Sequence, residues 1–405
     1  MWMIRIVAIL VLIWGIAGSL VEGRAGTGPA AGQWRDLVIA GIAQGFMYGL
    51  IALGYSMVYG VLGFINFAHG EVFMAGGMVG FFTANMLDER GMWTDQFVLS
   101  FVIIIVVAMV SSALVAVIVE RVAYRRLRGA PRLIPLITSI GISFFLQYTF
   151  AGLFGATIRN YPQPPEGLRT KVDIVAGISV EGSKLVVIIV ALISMAVLYL
   201  IVEKTKIGRS MRAVAEDKEI AALMGIDVDR TVVVTFAIGG AMAGIAGFLW
   251  AILFRGVSFI TGFLPGIKAF TAAVLGGIGN IFGAMAGGVL LGVFEGVGPQ
   301  LVLGGLDWNF KFLYIELLLL ALVSFTYRRL TTAANKLRAR RVMAALTAAA
   351  FLTLVIGPLR DLGLSMTVPG LSQLKDVVAF SALVLVLIFK PAGLFGERLS
   401  SEDRA

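Results

Sequence analysis

EKTKIGRSMRAVAEDKEIAALMGIDVDR, residues 203–230, is a polar stretch held between two long apolar runs, Leu185–Val202 and Thr231–Phe254. On a helical wheel Arg209, Arg212, Glu216 and Glu219 fall on one side and Met211, Val214, Ala221 and Ala222 on the other. That pattern predicts an amphipathic helix, punctuated by Gly208 before it and Gly225 after it. Arg212 and Glu216 stand four residues apart, a pairing that adds about 0.3 kcal/mol. So short a helix is marginal in water by propensity alone, so its apolar side must rest on another surface. That surface is either its own protein, as in an ordinary loop helix, or a cytosolic partner docked there.

The flanking runs decide the class. The chain of 405 residues is 59% hydrophobic and 14% charged, with a mean hydropathy of +0.94, against roughly half apolar and about a quarter charged in a soluble domain. A hydrocarbon core of about 30 Å takes about 20 apolar residues per helix, and the chain offers around ten such runs. The expectation is an all-α fold, a polytopic transmembrane helical bundle surrounded by lipid. Net charge +9 would suggest nucleic acid in a soluble protein, but the basic residues sit in short loops beside apolar spans, where they set orientation. Nucleic acid is excluded as a partner. The chain has no cysteine, which removes disulfides, thiol chemistry and cysteine metal sites.

Residues 3–19, with Arg5 near their start, form a short apolar segment, read with the Gly/Ala-rich linker behind it as a signal peptide or signal anchor over 1–35. Leu37–Leu62 is the first long span, interrupted afterwards by Asn66, His69 and Glu71, and Phe97–Val119 is a further run. The loop Glu120–Arg132 carries Arg121, Arg125, Arg126, Arg128 and Arg132 against one acid, so it is cytosolic. Alternation then places Gly155–Lys184 outside and segment 203–230 in the cytosol. From Phe263 to Val297 the chain reads as two halves, each short for a span, broken at Gly276, Gly277 and Gly279. Such a break survives only where protein or a water-filled cavity surrounds it, which predicts a discontinuous or re-entrant Gly-rich helix pair. Ala284, Gly288, Gly292 and Gly296 recur every four residues, the spacing for close helix approach. The transmembrane core thus covers 36–300. An extra transmembrane hairpin is expected over 301–375, around a basic loop without an acid, and a last span and cytosolic tail over 376–405.

His69 is the only histidine, and one histidine with one nearby carboxylate cannot build a metal cage. Neither a Ser/His pair nor paired carboxylates support catalysis there. Asn66 and His69 read equally as caps of a broken helix or as groups in contact with a substrate. Lys268 and Glu295 are embedded in the Gly-rich region, where internal pairing is the first expectation. No GxxxxGK[ST] occurs, so the chain carries no phosphate loop of its own and no nucleotide or other cofactor is expected.

Five blocks together resemble one family. ALGYSMVYGVLGFINFAHGEVFM (52–74), ERVAYRRLRGAPRLIPLITSIGISFFLQ (120–147), GRSMRAVAEDKEIAALMGID (208–227), GIKAFTAAVLGGIGNIFGAMAGGVLLGVFEG (266–296) and KPAGLFG (390–396) are similar, in this order, to the LivH-type permease of branched-chain amino acid ABC importers. The resemblance implies a bacterial inner-membrane permease working with a LivM-like second permease, two cytosolic ATPase subunits and a periplasmic binding protein. It implies ATPase coupling at Gly208, Arg209, Arg212, Ala213, Glu216, Asp217, Ala221 and Gly225. It points to Asn66, His69 and Glu71 as polar groups of the pathway, and to Gly276, Gly277, Gly279, Gly288 and Gly292 as helix-packing positions. Urea and short-amide importers share the pattern. The 301–375 insertion and the N-terminal segment depart from the family. A standalone channel or secondary transporter and an intramembrane enzyme using His69 and Glu71 are the competing readings.

Overall fold

The computed structural model describes residues 31–131, 133–175 and 178–300, with scattered positions between 375 and 395. The expected N-terminal signal or anchor and the 301–375 hairpin lie outside these residues, apart from the first positions after the linker. Residues 33–297 and 378–405 form one compact unit, and the site lies within it.

Ten helices organise that description: α1 (Ala31–Leu62), α2 (His69–Glu89), α3 (Phe97–Val119), α4 (Leu133–Phe154), α5 (Gly182–Lys204), α6 (Lys206–Glu216), α7 (Lys218–Leu223), α8 (Val228–Phe254), α9 (Phe263–Gly276) and α10 (Ile281–Gly298). Among the described residues six helices are long and apolar enough to cross a membrane, α1, α3 with its continuation to Leu127, α4, α5, α8 and α10, while α9 is a shorter apolar helix. The architecture is a polytopic helical bundle, as the composition dictates. The end bearing Arg121–Arg128 is the inner end by the positive-inside rule.

At the centre α2, α3 and α8 pack on one another, with glycines at their closest approaches and buried aromatics such as Phe73 and Phe248 between them. A Cβ on Gly244 of α8 would run into backbone at Ala108 of α3, and one on Gly247 into the Phe73 carbonyl of α2. Backbones this close exchange dispersion contacts that bulky residues would prevent. On the other side α10 runs antiparallel along α1: Gly288 meets Gly49 and Gly45, Gly292 meets Gly45 and Gly41, and Gly296 meets Leu37 and Gly41.

The outer loop 155–181 holds two short ladders. Arg159–Asn160 pairs antiparallel with Gly256–Val257, and Lys171–Val175 pairs antiparallel with Ile178–Glu181. Tyr161, buried beside the first ladder, donates its hydroxyl to the Gly77 carbonyl at 2.6 Å and pins the loop to α2.

The break after α9 is where the sequence placed it, and protein closes it. Gly277 and Gly279 have φ of +102° and +93°. The orphan carbonyls of Leu275 and Gly276 accept the N–H groups of Leu394 (2.7 Å) and Phe395 (3.0 Å), and Gly279 N–H donates to Ser56 Oγ at 2.7 Å. In lipid each of these groups left unpaired would cost several kcal/mol.

Segment 203–230 differs from the single helix expected. Asp217 is extended (φ −151°, ψ 117°) and its carboxylate accepts from the N–H groups of Glu219 and Ile220. An aspartate that can cap a new helix favours ending the old one, so α6 and α7 are separate. Met211, Val214 and Ala221 are buried as the wheel predicts, whereas Ala222 is exposed. Arg212 turns to Glu203, at 3.3 Å, and to the Val202 carbonyl.

Candidate translocation site

Six non-helical residues separate α1 from α2. Gly63 leaves α1 with φ +80°, and Asn66 Oδ1 then accepts from Ala68 N–H (3.1 Å) and the Tyr124 hydroxyl (2.6 Å). The α2 helix therefore starts inside protein at His69, and Asn66 is the group that caps its approach. Tyr124 reaches Asn66 from a single π turn, Glu120–Tyr124, that interrupts the end of α3. Glu120 is buried there and is paired with Arg128, which also binds Asp229 at the start of α8.

His69 is 2% exposed and lies edge-on to Tyr55, ring centroids 4.8 Å apart; its Nε2 has no hydrogen-bond partner. Glu71 is 0% exposed. Its Oε1 accepts from Gln147 Nε2 (2.7 Å) and Ser143 Oγ (3.1 Å) on α4, while Oε2 is unpartnered and faces Gly262. Gly262 and Gly266, at the start of α9, pack directly on Gly70. Two interrupted helices thus meet N-terminus to N-terminus, and the Glu71 carboxylate lies where both positive ends converge.

Beside this cluster Tyr55, Tyr59, Ile65, Phe270, Ala273 and Ile278 line a narrow cleft with room for about one water molecule. Phe270 stands 6.0 Å from Tyr55 and 5.8 Å from Phe67, ring to ring. Asn66, His69 and Glu71 are brought together as a buried cluster. Their partners Ser143 and Gln147 were missed, although Ser139, Ser143 and Gln147 recur every four residues on an otherwise apolar span and all three are buried.

The Lys268–Glu295 pair is a different kind of site. The two charges are 2.9 Å apart, and Glu295 also accepts from Gln44 Nε2 (2.8 Å) and the Tyr48 hydroxyl (2.9 Å) of α1. These bonds tie α1, α9 and α10 together, a structural pin.

At the inner end Gly208 lies against the Val202 backbone, and Thr205 caps α6 through Gly208 N–H at 3.1 Å. Arg209, Glu216 and Asp217 are exposed, Ala213 is half-buried, and Gly225 ends α7 with φ +82°. Ile220, Leu223 and Met224 stand 60%, 86% and 78% exposed. In a loop that is otherwise charged, three large apolar side chains grouped this way mark an interaction surface.

Residues 37–323 match the family described as branched-chain amino acid transport system / permease component. The chain is 33% identical to the high-affinity branched-chain amino acid transport system permease protein BraD of Pseudomonas aeruginosa, over 91% of this chain and 97% of the relative. It is 41% identical to the permease protein LivH of Escherichia coli strain K12 and 40% identical to LivH of Salmonella typhimurium, in each case over 63% of this chain and 82% of the relative. No solved structure matches the chain.

Proposed function

This chain belongs to the branched-chain amino acid transport permease family, and from that premise we propose that it is the LivH-like subunit of a binding-protein-dependent ABC importer for branched-chain amino acids. As a permease it is a multi-pass inner-membrane protein. In the proposed complex it works beside a LivM-like second permease, two cytosolic ATPase subunits supply the energy, and a periplasmic binding protein delivers the substrate.

The observation that carries this reading is the inner-end surface made by α6 and α7. Its charged residues Arg209, Glu216 and Asp217 surround the exposed apolar tip Ile220, Leu223 and Met224, while Met211, Val214 and Ala221 anchor it to the bundle. A conformational change is driven only by contacts that differ between states, and this surface is placed to make them. Asn66, His69 and Glu71, beside the aromatic cleft, are the pathway groups in this reading. The test is co-purification and transport. Leu223→Asp is expected to release the ATPase subunits from the permease pair, and ATPase binding equal to wild type overturns the coupling assignment.

The interrupted helices α2 and α9 favour one rival, a standalone channel or secondary transporter. Substrate flux through the purified chain alone, in vesicles without ATP, decides for that rival. Among importers of this pattern, binding of leucine against urea or a short amide by the cognate receptor fixes the substrate.

A further inference from the structure

Both halves of the inner-end surface pack on α8 and on each other, but their side-chain bonds lead to different helices. α6 is held to α5: Arg212 bonds the Val202 carbonyl and Glu203, and Gly208 lies against Val202. The first residue of α7, Lys218, reaches elsewhere and donates from Nζ to the Leu62 carbonyl at 3.1 Å. Leu62 is the last residue of α1, so the ammonium sits on an orphan carbonyl at the negative end of a 32-residue helix. Directly beyond it Gly63 turns with φ +80°, Asn66 is held by Tyr124, and α2 begins at His69. The bonded path from the exposed tip of α7 to the buried polar cluster therefore runs through Lys218, Leu62, Asn66 and His69. Asp217, extended between α6 and α7, makes the two halves separate helices.

We infer that Lys218 is the positioning residue that transmits displacement of α7 to the break between α1 and α2, acting on transport through Leu62 and not by holding the ATPase. This rests on the reading of the α6–α7 surface as the coupling site. The ammonium contributes a charge-assisted bond that keeps α7 linked to the end of α1, and removing it lowers the fraction of complexes that stay linked by about tenfold.

The test uses the assembled importer in vesicles, with ATP hydrolysis and leucine uptake measured together. Lys218→Met is expected to leave assembly and hydrolysis near wild type and to lower substrate moved per ATP about tenfold, with Lys218→Arg restoring most of the ratio. An unchanged ratio in Lys218→Met overturns the inference. Parallel loss of hydrolysis and uptake also overturns it, because Lys218 then belongs to the docking surface. Leu223→Asp in the same assay reports separately on that surface. Should Lys218→Met fail to assemble, spin labels in the native-lysine background decide. The cysteine-free chain allows label pairs at Ala222/Gly60 and Ile207/Gly60, with Leu223 left intact. An ATP analogue is expected to leave the first separation fixed and to change the second, and a change in the first overturns the inference.

Discussion

Lys268 Nζ lies 2.9 Å from Glu295 Oε1 with both side chains at most 3% exposed, so a full ion pair is enclosed in the middle of a glycine-packed bundle. Tyr48 and Gln44 take up the remaining capacity of the carboxylate, and the Tyr48 ring lies 5.7 Å from the ammonium.

Removing one member of that pair strands the other. Lys268→Met is expected to destabilise the permease by about 3 kcal/mol, because an uncompensated buried charge costs far more than the pair contributes. The double variant Lys268→Met, Glu295→Leu recovers part of the loss. Thermal unfolding of the detergent-solubilised complex measures both, and equal stability of single and double variants would contradict the assignment.

The α1–α10 contact tolerates no side chain. Gly292→Val forces backbone apart at Gly41 and Gly45 and is expected to cost about 3 kcal/mol or prevent accumulation. Gly60→Ala is the control, since nothing lies within 4 Å of the added methyl; it should be neutral or stabilise by up to about 1 kcal/mol. Expression and melting of the two variants side by side check the contrast.

Glu71→Gln and Glu71→Ala should separate shape from charge. The glutamine keeps an acceptor for Gln147 and Ser143, whereas the alanine leaves both donors buried without it, at about 1–3 kcal/mol. Uptake is expected to fall at least tenfold or so in Glu71→Gln with the melting temperature little changed. Full uptake in Glu71→Gln removes the carboxylate from the pathway.

Charge reversal on the α6 face is the fourth test. Glu216→Arg is expected to leave the bundle folded, because Glu216 is exposed, and to uncouple ATP hydrolysis from uptake. Normal uptake at normal hydrolysis argues against coupling at this face.

The features legible in the sequence are those with a local signature. The polar interruption at Asn66, His69 and Glu71 marked the start of a new helix, and the triple glycine at 276, 277 and 279 marked the other break, because lipid forbids both patterns in an ordinary span. Lys268 and Glu295 were readable as partners because an unpaired charge at that depth is costly. What stayed hidden is long-range. Nothing in the tail names Leu275 and Gly276 as acceptors, nor does anything in Gly256–Val257 announce a ladder with Arg159–Asn160. The division at Asp217 was legible in principle, since an aspartate three residues before Ile220 can cap a helix, but the wheel treats 209–222 as continuous and conceals it. The polar stripe Ser139, Ser143 and Gln147 was equally visible, and its meaning depends on knowing that Glu71 lies opposite.

Because the carbonyls of Leu275 and Gly276 are satisfied by Leu394 and Phe395, the core cannot be completed in the order in which it is synthesised. The ribosome delivers more than a hundred residues between the open ends and the segment that seals them. Throughout that interval the half-built bundle carries bare acceptors. Chains stalled or clipped before residue 394 should therefore be substrates for membrane quality control even though every spanning helix of the core has already been inserted.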